Sequence, residues 1–323
     1  MAKQVLIKNP LLINKGSLIR LLMLVSSLIY GFFIYTALHW QYSVGSGDLG
    51  SYVFFFDQFQ YGGEAPELSL RQDGAFRLAI FALRDLINQT TIDTLSYISF
   101  FMSSIIFYVF LTHIKSEKHF IYIFSILVMI FLSPSVHTLF SSNIRSGLAF
   151  TLLLIAFLNF KGFFRYVFLG LSILIHLSML PFVALYFMYF VLNRFRSPYL
   201  FSFFALILAA LAMTILGNQV HRIVPVSVSP LYNIMIIYLS ILIIFLHRNI
   251  FQDVFGFMAI GLVLIYLAGL VFDISFIRYV GNSIVLYLLF LLRSGKKETI
   301  QIFSVAYIPF FIITTYFSLA NNL

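Results

Sequence analysis

Two arginines, Arg145 and Arg278, stand where a positive charge is unusual. Each ends a short polar segment that opens a predicted helix: SSNIR for Arg145, with Asn143 or a serine as N-cap, and DISFIR for Arg278. Both arginines therefore fall in the first helical turn, where the helix dipole disfavours a cation. A bound anion would reconcile the conflict, and two such ends would suit a pyrophosphate. The alternative is that Asp273 neutralises one or both arginines.

Two other residues, His176 and Asp48, are the remaining candidates for chemistry. His176 interrupts an otherwise apolar run, 166–180. Taken alone, such a histidine is more often a hydrogen-bonded packing residue, whereas an ionisable group inside a membrane is a functional candidate by default. Asp48 ends the glycine-rich turn SVGSGD, just beyond the first predicted span, while the other carboxylates near it are typical of solvated loop charge. The histidines lack metal-ligand spacing and the chain has no cysteine, so we predict no metal site.

The elements that must position these residues are predicted to be membrane-spanning helices. Of 323 residues, 61% are hydrophobic and 10% charged, against about 25% charged in a soluble domain. A span needs roughly 20 apolar residues, and such runs recur from Leu18 to Ala320. We predict an all-α polytopic membrane protein, one transmembrane domain over 1–323, with about eleven spans. These spans are 18–38, 92–114, 120–138, 146–160, 164–178, 180–193, 199–216, 231–246, 254–271, 276–292 and 299–318.

The basic residues predict the orientation of these spans. Segment 166–193 holds 28 uncharged residues, too many for one span and too few for two full ones. Treated as a hairpin of two short spans, it leaves fourteen basic residues on the side of the N-terminus and six on the other. That bias places the N-terminus in the cytoplasm, and it explains the net charge of +9 without nucleic acid. The hairpin tip, 176–181, should end below the outer surface in a recessed polar pocket.

In this topology the outer side carries only arginine. All eight lysines are cytoplasmic, and the six outer basic residues are arginines. Arginine offers a rigid fork that grips phosphate with two hydrogen bonds, which lysine cannot do. Anion recognition therefore competes with interfacial snorkelling and chance as the explanation.

The outer segment 39–91 is acidic and has a helical period over 75–88. We predict an interfacial amphipathic helix there, lying on the outer surface. Arg77 and Arg84 would share its polar face with Asp73, and we include Arg77 with Arg145 and Arg278 among the pyrophosphate-binding candidates. The apolar face would be formed by Phe76, Ala79, Ile80, Leu83 and Leu86.

Three of these features together resemble a known family. They are NIRSGLA at Arg145, the basic loop at Lys161, and a run that ends in IHLS at His176. This pattern resembles the Wzy-type (EpsG-like) bacterial polysaccharide and O-antigen polymerases. The match covers about 143–181, and the glutamine that usually follows the arginine is Ser146 here. Weaker echoes lie at 48–52 and at 278–279.

The resemblance implies a fold, a location and a reaction. The fold would be that of the multispan glycosyltransferases (GT-C-like), in the bacterial inner membrane, with the active site on the periplasmic side. The substrate would be an oligosaccharide repeat unit on undecaprenyl pyrophosphate. The growing glycan would move from its lipid carrier to a sugar hydroxyl of an incoming lipid-linked unit. Pyrophosphate is a good leaving group, so no cofactor is expected. The lipid bilayer and a chain-length regulator are the other partners that the resemblance allows.

The resemblance also implies roles for the candidate residues. Arg145, Arg278 and Arg77 would bind the pyrophosphate and stabilise its developing charge. His176 or Asp48 would act as the base or position the substrate. Two alternatives stay open. A flippase for the same lipid should show repeat symmetry, and a membrane acyltransferase using His176 would need a cytoplasmic route for its acyl donor.

Overall fold

The regular structure of the described residues is helical throughout. The computed structural model describes residues 15–43, 49–60, 74–114, 120–195, 203–205, 207–208, 211, 230–246, 250–271, 277–294 and 297–320. We number the helices with described bounds in chain order. They are α1 (Lys15–Ser43), α2 (Leu49–Gln60), α3 (Gly74–Ile87), α4 (Thr91–Thr112), α5 (Phe120–Leu132), α6 (Pro134–Ser141), α7 (Ile144–Asn159), α8 (Gly162–Ile175), α9 (Leu180–Phe195), α10 (Pro230–Leu246), α11 (Val254–Val271), α12 (Ile277–Ser294) and α13 (Lys297–Ala320).

The helices are those of an α-helical membrane protein. Among the described residues, Ser17–Ser43 and Thr91–Thr112 are each long and apolar enough to cross a membrane, and α5 with α6 would add a third crossing if that bent pair is one span. Much of the remaining structure consists of shorter apolar helices. On α1, Ile29 and Phe32 are 65% and 61% exposed. Apolar exposure of this extent suits a surface that faces lipid rather than water.

Each predicted span overlaps one helix, except 120–138 and 199–216, and the latter lies largely outside the described residues. The predicted span 120–138 covers two helices, α5 and α6. The chain bends by 65° between α5 and α6, because Pro134 has no N–H and its ring would clash with a carbonyl of the preceding turn. The Ser133 hydroxyl compensates by donating to the Ile130 carbonyl at 2.6 Å.

The contact between α1 and α4 shows how helices of this bundle can associate in lipid, where the hydrophobic effect does not drive them together. The two helices pack along much of their length. They meet at Gly31, where an added Cβ would lie 1.9 Å from the Ser104 hydroxyl and 2.7 Å from the Phe100 carbonyl oxygen. Small residues that let backbones approach are the usual means of helix association in lipid.

The described parts of segment 39–91 are largely helical. It contains α2, which the sequence did not predict, and α3, which coincides with the predicted amphipathic stretch. The predicted faces of α3 are confirmed for Phe76 and Ile80, which are buried, and wrong for Arg84 and Leu86. Arg84 is only 7% exposed and lies on the buried stripe with Phe76 and Ile80, whereas Leu86 is 82% exposed. The cause is a long-range contact, because Arg84 donates to the Phe56 carbonyl of α2 at 3.1 Å.

Candidate functional site

The first turns of α7 and α12 lie at the same end of the bundle, which we call the arginine end. Both helices pack against α6 through a glycine. A Cβ on Gly147 would lie 2.0 Å from the Leu139 carbonyl oxygen, and one on Gly281 would lie 2.2 Å from the Ser135 carbonyl oxygen. Ser135 and Leu139 are one turn apart on α6, about 6 Å along the axis. The two helix starts that carry Arg145 and Arg278 are therefore joined to one short helix.

The N-cap residue of α7 is Asn143, one of the predicted candidates. Asn143 occupies the N-cap position with φ −99° and ψ 50°, and its side chain makes no capping hydrogen bond. The serines are used elsewhere: Ser142 donates to the Thr138 carbonyl and Ser141 bonds to His137. The prediction of Asn143 as the N-cap residue is therefore confirmed, and the side-chain bond that usually accompanies such a cap is not formed. The first turn of α7 keeps backbone N–H groups without that partner, which is the usual basis of anion affinity at a helix start.

Arg145 is half-buried and is oriented by a tyrosine from another helix. Its Nε donates to the Tyr52 hydroxyl of α2 at 2.6 Å. The guanidinium carbon also lies 5.0 Å from the centre of the Tyr52 ring. The bond and the ring contact together restrict the rotation of the fork.

Arg278 is the second residue of α12, and its side chain lies outside the described part of the structure. Asp273, the predicted alternative partner, also lies outside it. The next residue, Tyr279, donates from its hydroxyl to the Ser178 carbonyl at 3.3 Å. Its ring lies 5.7 Å from that of Phe182 on α9. The start of α12 therefore touches the turn between α8 and α9.

His176 lies at that turn, where the chain reverses as the hairpin prediction requires. It ends α8 with an extended backbone (φ −155°, ψ 117°) before a 3-10 turn over Leu177–Met179. Arg165 of α8 donates to the Tyr186 hydroxyl of α9 at 2.9 Å, so the arms run antiparallel. With 14 and 16 residues, they are about 21 and 24 Å long, short of the ~30 Å hydrocarbon core.

Of the two remaining candidates, Arg77 lies within the described residues and Asp48 does not. Arg77 is half-buried on α3, which packs against α4 and α8. Its neighbour Phe76 has its ring 6.1 Å from that of Tyr52, so α3 contacts α2, and Tyr52 of α2 bonds in turn to Arg145. Asp48 lies outside the described residues. In the part of the chain that the structure describes, no three His, Asp or Glu side chains gather as metal ligands would.

Several polar residues at the arginine end were not predicted. His137 of α6 shares a hydrogen bond with the Ser141 hydroxyl at 3.1 Å, and Gln41 of α1 donates to the same hydroxyl at 3.4 Å. This network ties α1 to α6. Tyr52 and Tyr279 lie within the weaker echoes at 48–52 and 278–279 but were given no role, although each stands close in sequence to a predicted site residue, Asp48 or Arg278. That spacing is the signal that could have identified them.

Three features lie at the arginine end of the bundle. They are the start of α7 with Arg145, the start of α12 with Arg278, and the turn at His176. Such a set can bind a phosphorylated group beside a potential base. A scan against protein-family models and searches of curated proteins and of solved structures find no match to this chain.

Proposed function

We propose that this protein is a polysaccharide polymerase of the bacterial inner membrane. It transfers a growing glycan from undecaprenyl pyrophosphate to a sugar hydroxyl of an incoming lipid-linked oligosaccharide. The observation that carries the proposal is the α6 contact, in which Gly147 and Gly281 hold the helix starts of Arg145 and Arg278 against one short helix. The Tyr279–Ser178 bond brings the His176 turn to the same place.

The proposal includes about eleven crossings with a cytoplasmic N-terminus and a GT-C-like arrangement. This topology puts the C-terminal ends of α1 and α6 on the same side, and the contact between Gln41 and Ser141 supports it. At the other end of the bundle, Arg293 of α12 pairs with Asp253 before α11 at 3.6 Å. The arginine end then faces the periplasm, and the positive-inside bias favours that orientation.

The proposed chemistry is a displacement at the anomeric carbon of the lipid-linked sugar. A glycosidic C–O bond forms with the acceptor hydroxyl, and the bond from the anomeric carbon to the pyrophosphate oxygen breaks. The hydroxyl proton passes to His176 or Asp48, and the electron pair leaves with undecaprenyl pyrophosphate. Arg145, Arg278 and Arg77 bind that leaving group, and preorganised cations are most effective where charge develops.

The decisive experiment measures the glycosidic bonds formed and the undecaprenyl pyrophosphate released. The substrate is the lipid-linked oligosaccharide extracted from a strain of the source bacterium that lacks this protein. Purified full-length protein should convert it to chains of more than one repeat and release one undecaprenyl pyrophosphate per bond formed, measured by mass spectrometry. Movement of the lipid across a vesicle without new bonds would indicate a flippase instead. A mass increase that requires an added acyl donor would indicate an acyltransferase.

Arginine-to-lysine variants test the site itself. Arg145→Lys and Arg278→Lys keep the charge and lose the two-pronged geometry, so each should lose most polymerisation, about a hundredfold, at normal membrane levels. Arg20→Lys is the matched control, because Arg20 is exposed on α1 far from the arginine end. Full activity in a stable Arg145→Lys protein would rule out the bidentate pyrophosphate site.

A further inference from the structure

Tyr52 contacts Arg145, and the proposed function gives Tyr52 no role. Its hydroxyl accepts a hydrogen bond from the Arg145 Nε at 2.6 Å. The same guanidinium lies over its ring at 5.0 Å. Tyr52 belongs to α2, a helix of segment 39–91, and Arg145 opens α7, so this bond joins two distant parts of the chain.

The structure holds Tyr52 in place through the rest of α2. One turn further on, the Asp57 carboxylate accepts a hydrogen bond from the Thr91 hydroxyl of α4 at 2.7 Å. The Phe56 carbonyl accepts from Arg84 of α3 at 3.1 Å. A helix tied to two neighbours within five residues of Tyr52 presents its hydroxyl from a fixed position.

We propose that Tyr52 is a positioning residue that orients the guanidinium of Arg145 for the pyrophosphate of the lipid-linked substrate. This inference rests on the proposed function. The Nε of arginine carries one N–H, and Tyr52 accepts it, which fixes the direction in which the Nη1–Nη2 edge of the Arg145 guanidinium points. Those two nitrogens can bind two oxygens of one phosphate. Without the tyrosine hydroxyl the fork rotates more freely, and binding has to restrict that motion.

The test measures binding of undecaprenyl pyrophosphate to the full-length protein in detergent. Tyr52→Phe keeps the ring that packs on Phe76 and removes the hydroxyl, so it should bind about tenfold more weakly than wild type. Tyr189→Phe is the matched control. It also removes a tyrosine hydroxyl, one that donates to the Gln252 carbonyl at the opposite end of the bundle, and it should bind as wild type does.

A double-mutant cycle separates positioning from a structural role. If Tyr52 acts through Arg145, Tyr52→Phe should weaken binding no further once Arg145 is lysine. An equal tenfold loss in both backgrounds would overturn the inference, and so would wild-type binding by Tyr52→Phe alone. Failure of the wild-type protein itself to bind the lipid would overturn the proposed function and the role of Tyr52 together. Thermal unfolding of each variant checks that the fold is intact.

Discussion

Replacing Gly147 with alanine tests the contact that brings the arginine end together. The new Cβ would lie 2.0 Å from the Leu139 carbonyl oxygen and 3.1 Å from its carbonyl carbon. An ordinary contact between carbon and a carbonyl oxygen is about 3.3 Å. Helices α6 and α7 would therefore have to move apart by roughly 1.3 Å, since the obstacle is backbone and no side-chain rotation removes it.

Two opposing terms set the size of the effect. Overpacking costs about 1 to 3 kcal/mol, and a backbone obstacle argues for the upper value. Alanine has the better helix propensity and recovers about 1 kcal/mol. The net destabilisation should be about 2 kcal/mol. Activity should fall further, by about a hundredfold, because Arg145 lies two residues away and a 1 Å displacement of a positioning group has that effect.

The assay compares thermal unfolding in detergent and polymerisation rate with those of Gly170→Ala. Gly170 lies within α8, and a Cβ there would meet nothing within 4 Å. This control should be unchanged in activity and as stable as wild type, or more stable by up to about 1 kcal/mol. If Gly147→Ala matched Gly170→Ala in both measurements, the close α6–α7 contact would be refuted.

Three further predictions concern the fold, the orientation and the chemistry. Arg84→Met should destabilise the protein by about 2 kcal/mol, because it leaves a buried carbonyl of α2 without its donor; a loss no greater than that of Arg20→Met in thermal unfolding would contradict this. A reporter active only in the cytoplasm should work when fused after Lys297 and be silent after Gly62, and the reverse pattern would invert the topology. Polymerisation by purified protein should survive strong chelators, and loss restored by magnesium would instead indicate carboxylate ligands.

The approximate positions of most helices could be predicted from the sequence, because a helix that crosses the hydrocarbon core needs a run of about 20 apolar residues. The bend at Pro134 could also have been predicted from the sequence, since proline cannot continue a helix, but counting apolar residues across it gave one span with no break. Helix α2 was missed because its core, Tyr52 to Phe56, is as typical of a strand as of a helix.

The face of α3 and the partner of Arg145 could not be predicted from local patterns. Both depend on contacts far apart in the chain: Arg84 with the Phe56 carbonyl, 28 residues away, and Arg145 with Tyr52, 93 residues away. A helical period assigns a charged residue to the polar face, and only a tertiary partner reverses that assignment. The contacts of α7 and α12 with α6 did have a local signal, because Gly147 and Gly281 each follow a candidate arginine by two or three residues.

Pro134, Gly147 and Gly281 together determine how α6, α7 and α12 meet. The bend at Pro134 turns α6 by 65° from α5, and the two glycines let α7 and α12 approach its backbone. Two helix N-termini, each with an arginine in its first turn, are thereby brought to one place. Each dipole disfavours its own cation by about 0.3 to 1 kcal/mol, and an anion between them reverses that sign. The two arginines at helix starts are unfavourable to the protein alone, and the same positive charges would favour a phosphate group bound between them.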